Sequence, residues 1–109
     1  MEALPRVVFA EGLLKGEVAI VTGGGTGIGR QIALQLAGLG AKVAICGRRR
    51  EPLDDTAKEL QAQGAAGVHV GCCDIRDYDQ VKSFVLDVQK QLGDVTILIN
   101  NAGGYIGTA

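Results

Sequence analysis

The residues best suited to chemistry form the run T-G-G-G-T-G-I-G, from Thr22 to Gly29. This run follows the apolar segment Val18–Val21 and precedes a stretch with helical spacing. A strand that turns through glycines into a helix gathers unpaired backbone N–H groups at the helix N-terminus, where the helix dipole also favours an anion. Glycine permits the tight turn and lets a ligand approach the backbone. These residues therefore predict a phosphate site for a nucleotide.

Two common phosphate-binding motifs do not match this run in register. The P-loop pattern G-x-x-x-x-G-K-[ST] fits the spacing of Gly24 and Gly29. Its lysine and hydroxyl residue, however, are replaced here by Arg30 and Gln31. The dinucleotide pattern G-x-G-x-x-G, started at Gly25, ends on Arg30 instead of a glycine. A P-loop nucleotide hydrolase therefore remains only a minor alternative.

Apolar runs alternate with stretches of helical spacing along the chain, as strands and helices do in α/β proteins. The predicted strands are Val18–Val21, Val43–Cys46, Val68–Cys72 and Val95–Ile99. The predicted helices bear the apolar stripes Ile28, Ile32, Ala33, Leu36 and Leu39; Leu53, Ala57 and Leu60; and Val81, Phe84, Val85, Val88 and Leu92. Asp77 and Gln80 have the spacing of a capping box at the start of the third helix. This alternation predicts a doubly wound α/β layer on a parallel sheet.

Two motifs at the ends of the first and fourth strands resemble the short-chain dehydrogenase/reductase family. One is T-G-x-x-x-G-x-G, at Thr22, Gly23, Gly27 and Gly29, and the other is the N-N-A-G sequence Asn100–Gly103. The resemblance extends from residue 14 to about residue 104. It implies a Rossmann-like sheet with strand order 3-2-1-4, a nicotinamide dinucleotide cofactor, and hydride transfer to or from a small-molecule substrate.

The resemblance also implies roles for residues outside the glycine run. Asp74 resembles the family's acid that accepts from the adenine amino group, with Ile75 beside the ring, although a simple turn residue is the alternative. Asn101 and the two residues after it resemble the turn beside the cofactor ribose; alternatively, the Asn pair only satisfies backbone groups at the strand end. The predicted cofactor-binding residues are Gly23, Gly25, Thr26, Gly27, Ile28, Gly29, Arg48, Arg49, Asp74, Ile75, Asn101, Ala102 and Gly103.

The charge after the second strand favours NADP(H) over NAD(H). NAD-binding folds place an acid about 20 residues past the glycines to bind the ribose hydroxyls. Here Gly47 occupies the family's acid position, Arg48 and Arg49 follow, and the first acid is Glu51. Arginine binds phosphate through charge-assisted hydrogen bonds, so these residues suit a 2′-phosphate. The alternative is a solvated basic loop before an acidic helix.

The string Y-x-x-x-K at Tyr78 and Lys82 has the spacing of the family's catalytic pair. In the family this pair follows the Asn-Asn-Ala-Gly turn on a later helix, whereas here it precedes that turn. The apolar stripe of the third helix also leaves both side chains near its edge. We therefore expect surface residues and assign no catalytic residue to this chain; Tyr105 has no lysine four positions later.

The length of 109 residues predicts one domain at most. We expect residues 1–15 to be a leader and residues 16–109 to be the N-terminal part of a single dinucleotide-binding domain that lacks the catalytic half. Such a part would be inactive alone, would expose strand four as an apolar edge, and would need the remainder of the fold as its partner. The complete protein is expected to form a homo-oligomer. The alternative is a non-catalytic NADP-binding sensor or interaction module.

Substrate and compartment are less constrained by the residues. Within the family, the segments Gly12–Gly16, Cys73–Arg76 and Gly103–Gly104 look similar to reductases of trans-2-enoyl-CoA and 2,4-dienoyl-CoA thioesters. Ketoacyl reductases and steroid or sugar alcohol dehydrogenases share most of these residues, so an acyl-CoA substrate is one of several. We expect an intracellular protein, in the cytosol or in the matrix of a peroxisome or mitochondrion.

Composition excludes several other classes of protein. A formal net charge of −1 argues against binding to nucleic acid or to a membrane surface. The cysteines Cys46, Cys72 and Cys73 and the single His69 lack the spacing of a metal site or a disulfide framework. We expect the three thiols to act as small buried hydrophobic groups, and no metal to bind.

Overall fold

The computed structural model describes residues 12–101, which form alternating strands and helices. In chain order the elements are β1 (Val18–Thr22), α1 (Gly27–Gly38), β2 (Lys42–Gly47), α2 (Arg50–Ala62), β3 (Val68–Cys72), α3 (Tyr78–Gln91) and β4 (Ile97–Asn100). The predicted alternation is confirmed. The fourth strand begins two residues later than predicted, because the Thr96 hydroxyl, and not a backbone carbonyl, accepts the Val18 N–H at 3.0 Å.

The strands form one parallel sheet in the order β3-β2-β1-β4. In register, Thr22 lies between Cys46 on β2 and Asn100 on β4, and Gly47 lies beside Cys72 on β3. The carboxyl ends of the strands therefore meet at one edge of the sheet, which is where ligands bind in open α/β sheets. The Rossmann-like fold and the order 3-2-1-4 are confirmed.

Alternate strand residues pack on opposite faces of the sheet, so β1 and β2 are buried on both sides. Helices α1 and α2 cover one cluster of buried residues, and α3 covers the other. The first cluster comprises Val21, Ala33, Ala37, Ala41, Val43, Ile45, Leu53 and Leu60. The second comprises Val18, Ile20, Ala44, Cys46, Cys73, Phe84 and Val88. Full burial of each large apolar side chain stabilises the fold by about 1.5–3 kcal/mol.

The buried faces of α1 and α2 differ from the predicted stripes. Ile28 is 70% exposed, because it lies in the first turn of α1 where no element of the described chain covers it. On α2 the fully buried residue between Leu53 and Leu60 is Thr56, whereas Ala57 is only partly buried. The predicted stripe of α3 is confirmed, with Phe84 and Val88 at its centre and Val81, Val85 and Leu92 packed around them.

The ends of the helices are set by side-chain and glycine caps. Asp77 caps α3, since its carboxylate accepts from the N–H groups of Asp79 at 3.0 Å and Gln80 at 3.2 Å. In a complete capping box the Gln80 side chain would accept from the Asp77 N–H. Here it accepts instead from the Asp74 N–H, at 2.9 Å. After α1, Gly40 has a φ of +103°, a conformation that glycine adopts at little cost and that ends a helix.

The edge strands and the exposed residues of the fold can be compared with the sequence predictions. Strands β3 and β4 are the edges of the sheet within residues 12–101, and Leu98 on β4 is 65% exposed, as expected of an apolar edge. Tyr78 is 74% exposed and Lys82 is also exposed, which confirms them as surface residues.

Leu14 packs against the α1–α2 cluster, so the chain is in contact with the core before the predicted leader ends. None of the described helices is long and apolar enough to cross a membrane.

Candidate dinucleotide site

The glycine turn joins β1 to α1 through backbone conformations that favour glycine. Gly23 has a φ of +68° and Gly27 a φ of +56°, both in the left-handed region. The Gly23 N–H donates to the Cys46 carbonyl at 2.8 Å, which ties the start of the turn to β2. The turn is therefore fixed at the edge where the strands end.

Close packing explains the other glycines of the turn. A Cβ on Gly24 would lie 2.5 Å from Ile45 Cγ2, and one on Gly25 would lie 3.1 Å from the backbone nitrogen of Leu53. A Cβ on Gly29 would collide with the Gly23 carbonyl oxygen and lie 2.7 Å from the side-chain nitrogen of Asn101. The turn therefore packs too closely at Gly24, Gly25 and Gly29 to admit a side chain, whereas Gly23 and Gly27 are favoured by their left-handed φ.

The N-terminus of α1 is suited to an anion. Its N-cap Thr26 has extended backbone angles and makes no side-chain capping bond, and its first turn has no acid. By contrast, α3 has its first N–H groups bonded to the Asp77 carboxylate. The first N–H groups of a helix have no intrahelical partner, so those of α1 are available to phosphate oxygens. The residues present therefore fit the phosphates of a dinucleotide.

Thr22 connects the glycine turn to the end of β4. The Thr22 hydroxyl accepts the Asn101 N–H at 2.8 Å and lies 3.2 Å from the Asn100 side-chain oxygen. The Asn101 side chain lies beside Gly29, so the two sequence motifs adjoin each other. The predicted ribose residues Ala102 and Gly103 lie outside the described residues.

Arginines line the end of β2 beside the turn. Arg48 and Arg49 are exposed, and neither forms an ion pair with another residue in the described range 12–101. Arg50, the next residue, is bonded to Asp54 within α2 at 3.1 Å. Arg49 is the N-cap of α2 and makes no side-chain capping bond there. The two predicted arginines thus leave their guanidinium groups available to a phosphate.

Asp74 follows β3 at the same edge, but its carboxylate is already engaged. Arg76 donates to it from its backbone N–H at 2.9 Å and from two side-chain nitrogens at 3.0 and 2.9 Å. These side-chain and backbone bonds lower the pKa of Asp74 from 3.8 to about 2, with desolvation opposing them and Arg48 contributing as a more distant charge. Ile75 packs against the α3 side of the core. Any further donor to this carboxylate would therefore share it with Arg76.

The cysteines near this edge have different environments. Cys46 and Cys73 are buried, and burial together with the neighbouring Cys73 thiol raises the pKa of Cys46 to about 12. Cys72, predicted to be buried like the others, is instead exposed, because it is the last residue of β3, an edge strand of the described sheet. Its thiol donates to the Arg48 carbonyl at 3.1 Å. No cluster of metal-binding side chains occurs in the described part of the chain.

A family model described as short chain dehydrogenase matches residues 17–109. The chain belongs to the short-chain dehydrogenase family. The match covers the glycine turn, the arginines after β2 and the end of β4.

Curated relatives of this short-chain dehydrogenase chain are several-fold longer. Epidermal retinol dehydrogenase 2 of Mus musculus is 43% identical over 92 residues, covering 84% of this chain and 30% of that protein. Probable 2,4-dienoyl-CoA reductase 3 of Caenorhabditis elegans is 44% identical over 98 residues, covering 89% of this chain and 32% of that protein. The chain thus spans about a third of the length of the curated relatives it matches.

Solved structures of short-chain dehydrogenases share the fold and differ in their cofactors. The citronellol catabolism dehydrogenase of Pseudomonas aeruginosa PAO1 matches with a TM-score of 0.79 and 43% identity, over 84% of this chain and 38% of that one. An actinorhodin polyketide ketoreductase with NADPH has 40% identity and a TM-score of 0.76, over 80% of this chain and 33% of that one. A 7α-hydroxysteroid dehydrogenase complexed with NADH has 32% identity and a TM-score of 0.75, over 78% and 33%.

Three residues contribute to the site through contacts that the sequence does not predict. Thr22 was part of the motif, but its bond to Asn101 joins residues 79 positions apart. Thr56 lies on the buried face of α2 between Leu53 and Leu60, but a threonine inside a helix has no distinctive spacing in the sequence. Arg76 could have been found as a cation two residues after Asp74.

Proposed function

We propose that this chain provides the NADP(H)-binding part of a short-chain dehydrogenase that transfers hydride between the nicotinamide and a carbonyl or enoyl carbon. The observation that carries the proposal is the pair Arg48 and Arg49 at the end of β2. Both are exposed and, among the described residues, unpaired. They stand beside a glycine turn whose helix N-terminus is uncapped.

Each part of the site has a separate task in this proposal. The N-terminus of α1 would hold the pyrophosphate, and Arg48 with Arg49 would hold the 2′-phosphate that distinguishes NADP(H) from NAD(H). Asn101, held by Thr22, would form the wall beside the ribose. The nicotinamide of bound NADP(H) would supply or accept the hydride, while these residues would bind and orient the cofactor.

The proposal is tested by the affinity of the purified chain for NADPH and NADH, measured by isothermal titration calorimetry. We expect Arg48→Ala to weaken NADPH binding about ten-fold or more, since charge-assisted hydrogen bonds are the stronger kind. Binding of NADH should change little. Arg50→Ala is the matched control, because Arg50 is held by Asp54 and should affect neither cofactor. An equal loss for both cofactors in Arg48→Ala would refute the role in 2′-phosphate binding.

For the substrate we propose a carbonyl compound or an enoyl thioester such as an acyl-CoA. The likeness to a 2,4-dienoyl-CoA reductase supports the thioester, and the similar identity to a retinol dehydrogenase supports a simple carbonyl or alcohol. NADPH consumption with trans-2-enoyl-CoA, 2,4-dienoyl-CoA and retinal as alternative substrates would separate the two. This assay requires the protein with the remainder of the family fold, which we propose as the partner of this chain, in a homo-oligomer.

A further inference from the structure

One face of α2 is bonded to the glycine turn and to α1 along its length. Thr56, Glu59 and Gln63 are spaced by three and four residues, so they lie on the same side of the helix. Each bonds to a residue on or after the turn: the Gly25 carbonyl, the Arg30 guanidinium and the Leu34 carbonyl respectively. The helix that begins beside the arginines is therefore anchored to the phosphate turn.

The bond at the turn differs from the other two in burial. Thr56 is only 1% exposed, and its hydroxyl donates to the Gly25 carbonyl at 3.2 Å. Arg30 and Glu59 form an exposed ion pair, and the Gln63 bond is also exposed. Because the Thr56 side chain is buried, its hydroxyl bonds to the Gly25 carbonyl instead of to bulk water, and this bond favours one orientation of the carbonyl.

The orientation of this carbonyl determines where the next amide points. The peptide between Gly25 and Thr26 is trans, as are all the described peptides, so its C=O and N–H point in opposite directions. With the carbonyl directed at α2, the Thr26 N–H is directed away from α2. Within residues 12–101 this N–H has no hydrogen-bond partner, and it is the first donor at the N-terminus of α1.

We propose that Thr56 is a positioning residue for the phosphate site: its hydroxyl, bonded to the Gly25 carbonyl, orients the Thr26 amide toward the cofactor pyrophosphate. The inference rests on the proposed binding of a dinucleotide at this turn. Helix α2 would then contribute to binding of both the 2′-phosphate and the pyrophosphate. Its N-cap is Arg49, and its buried Thr56 is bonded to the glycine turn.

The test compares Thr56→Val, which keeps the shape and removes the hydroxyl, with Thr56→Ser, which keeps the hydroxyl. Calorimetry with NADPH and NADH should show Thr56→Val binding both about five-fold more weakly, the effect of one ordinary hydrogen bond. Thr56→Ser should stay within about two-fold of wild type on the same reasoning. Gln63→Met is the matched control, because it removes an α2 bond that lies away from the turn, and should leave both affinities unchanged.

A second measurement needs no cofactor. The amide resonance of Thr26 in a ¹H–¹⁵N NMR spectrum of the free protein should move in Thr56→Val and stay near its wild-type position in Thr56→Ser and Gln63→Met. If Thr56→Val does not fold, Thr56→Ala removes the hydroxyl without adding apolar volume and is compared with Thr56→Ser in the same way.

Three outcomes would overturn the inference: unchanged affinity in Thr56→Val, an equal loss in Thr56→Val and Thr56→Ser, or a loss confined to NADPH. Unchanged affinity would show that the hydroxyl does not affect cofactor binding. An equal loss in both variants would assign the loss to packing, and a loss confined to NADPH would assign it to the arginines. Failure of the proposed function is distinct from these results. It would appear as Arg48→Ala weakening both cofactors equally, or as a wild-type protein that binds neither, and the Thr26 resonance would still report whether Thr56 orients the turn.

Discussion

The Thr22 hydroxyl accepts the backbone N–H of Asn101 at 2.8 Å, across 79 residues of sequence. Thr22 ends β1 and Asn101 follows β4, so this bond closes the junction between the two strands beneath the glycine turn. Because Asn101 also lies against Gly29, the position of its side chain depends on this junction. The bond therefore links the two family motifs physically as well as in sequence.

We predict that Thr22→Val destabilises the protein by about 1–2 kcal/mol, because the Asn101 N–H loses its acceptor at a largely buried site. Thr22 is 8% exposed, so water replaces the hydroxyl poorly. Thr22→Ser should recover most of the loss. Urea unfolding followed by circular dichroism measures the free energy of unfolding, and equal stabilities for the valine and serine variants would contradict the role of the hydroxyl.

The ion pair of Asp74 and Arg76 predicts a specific pH dependence. Folding lowers the pKa of Asp74 from 3.8 to about 2, so the folded state favours the carboxylate. The resulting contribution to stability is complete above pH 3.8 and is lost as the pH falls through about 2. The carboxyl carbon of Asp74, followed by ¹³C NMR, should titrate near the lower value, and in Arg76→Gln it should titrate closer to 3.8.

The control for this titration is the same measurement in Arg76→Gln, in which the ion pair with Asp74 is lost. An Asp74 titration that is the same in both proteins would show that the ion pair does not form in solution. Stability curves should agree with the NMR result, with the two proteins becoming more similar as the pH falls below 3.8.

The fold was predictable because local patterns and global packing agree in this chain. Continuous apolar runs such as Val18–Val21 suit strands covered on both faces, and glycines end α1 and α3 where the stripes end. The prediction that Ile28 belongs to the buried stripe is wrong, because the helical period extends into a first turn of α1 that no neighbouring element covers. Periodicity identifies a face of a helix, but not how far the neighbouring element reaches.

The site was predictable only where its residues are adjacent in sequence. The glycine turn and the arginines after β2 are local motifs, so their types and order were sufficient to propose them. The bonds of Thr56 to Gly25 and of Thr22 to Asn101 span 31 and 79 positions and depend on the sheet order. The exposure of Cys72 likewise follows from β3 being an edge strand, which no local pattern reveals.

The thiols should differ in their reactivity in the folded protein. Cys72 is exposed, whereas Cys46 and Cys73 are 2% and 4% exposed. Burial also raises the pKa of both buried thiols, so they remain protonated at neutral pH and react poorly. Iodoacetamide at pH 7–8, with peptide mass mapping, should modify Cys72 first and the other two only after unfolding in urea. Rapid modification of Cys46 under native conditions would contradict the buried arrangement.

Substitutions at the N-cap of α3 should change the stability of the fold without changing the phosphate site. Asp77 accepts from two backbone N–H groups and from the Gln80 side chain, whose oxygen in turn holds the Asp74 N–H. Asp77→Ala should lower the free energy of unfolding by about 1 kcal/mol, the usual effect of losing a cap, and Asp77→Ser should lower it less. Because α1 has no part in this cap, the Thr26 amide resonance should stay in place in both variants. Urea unfolding and the same NMR spectrum measure the two quantities, and an alanine variant as stable as wild type would show that the cap is not formed.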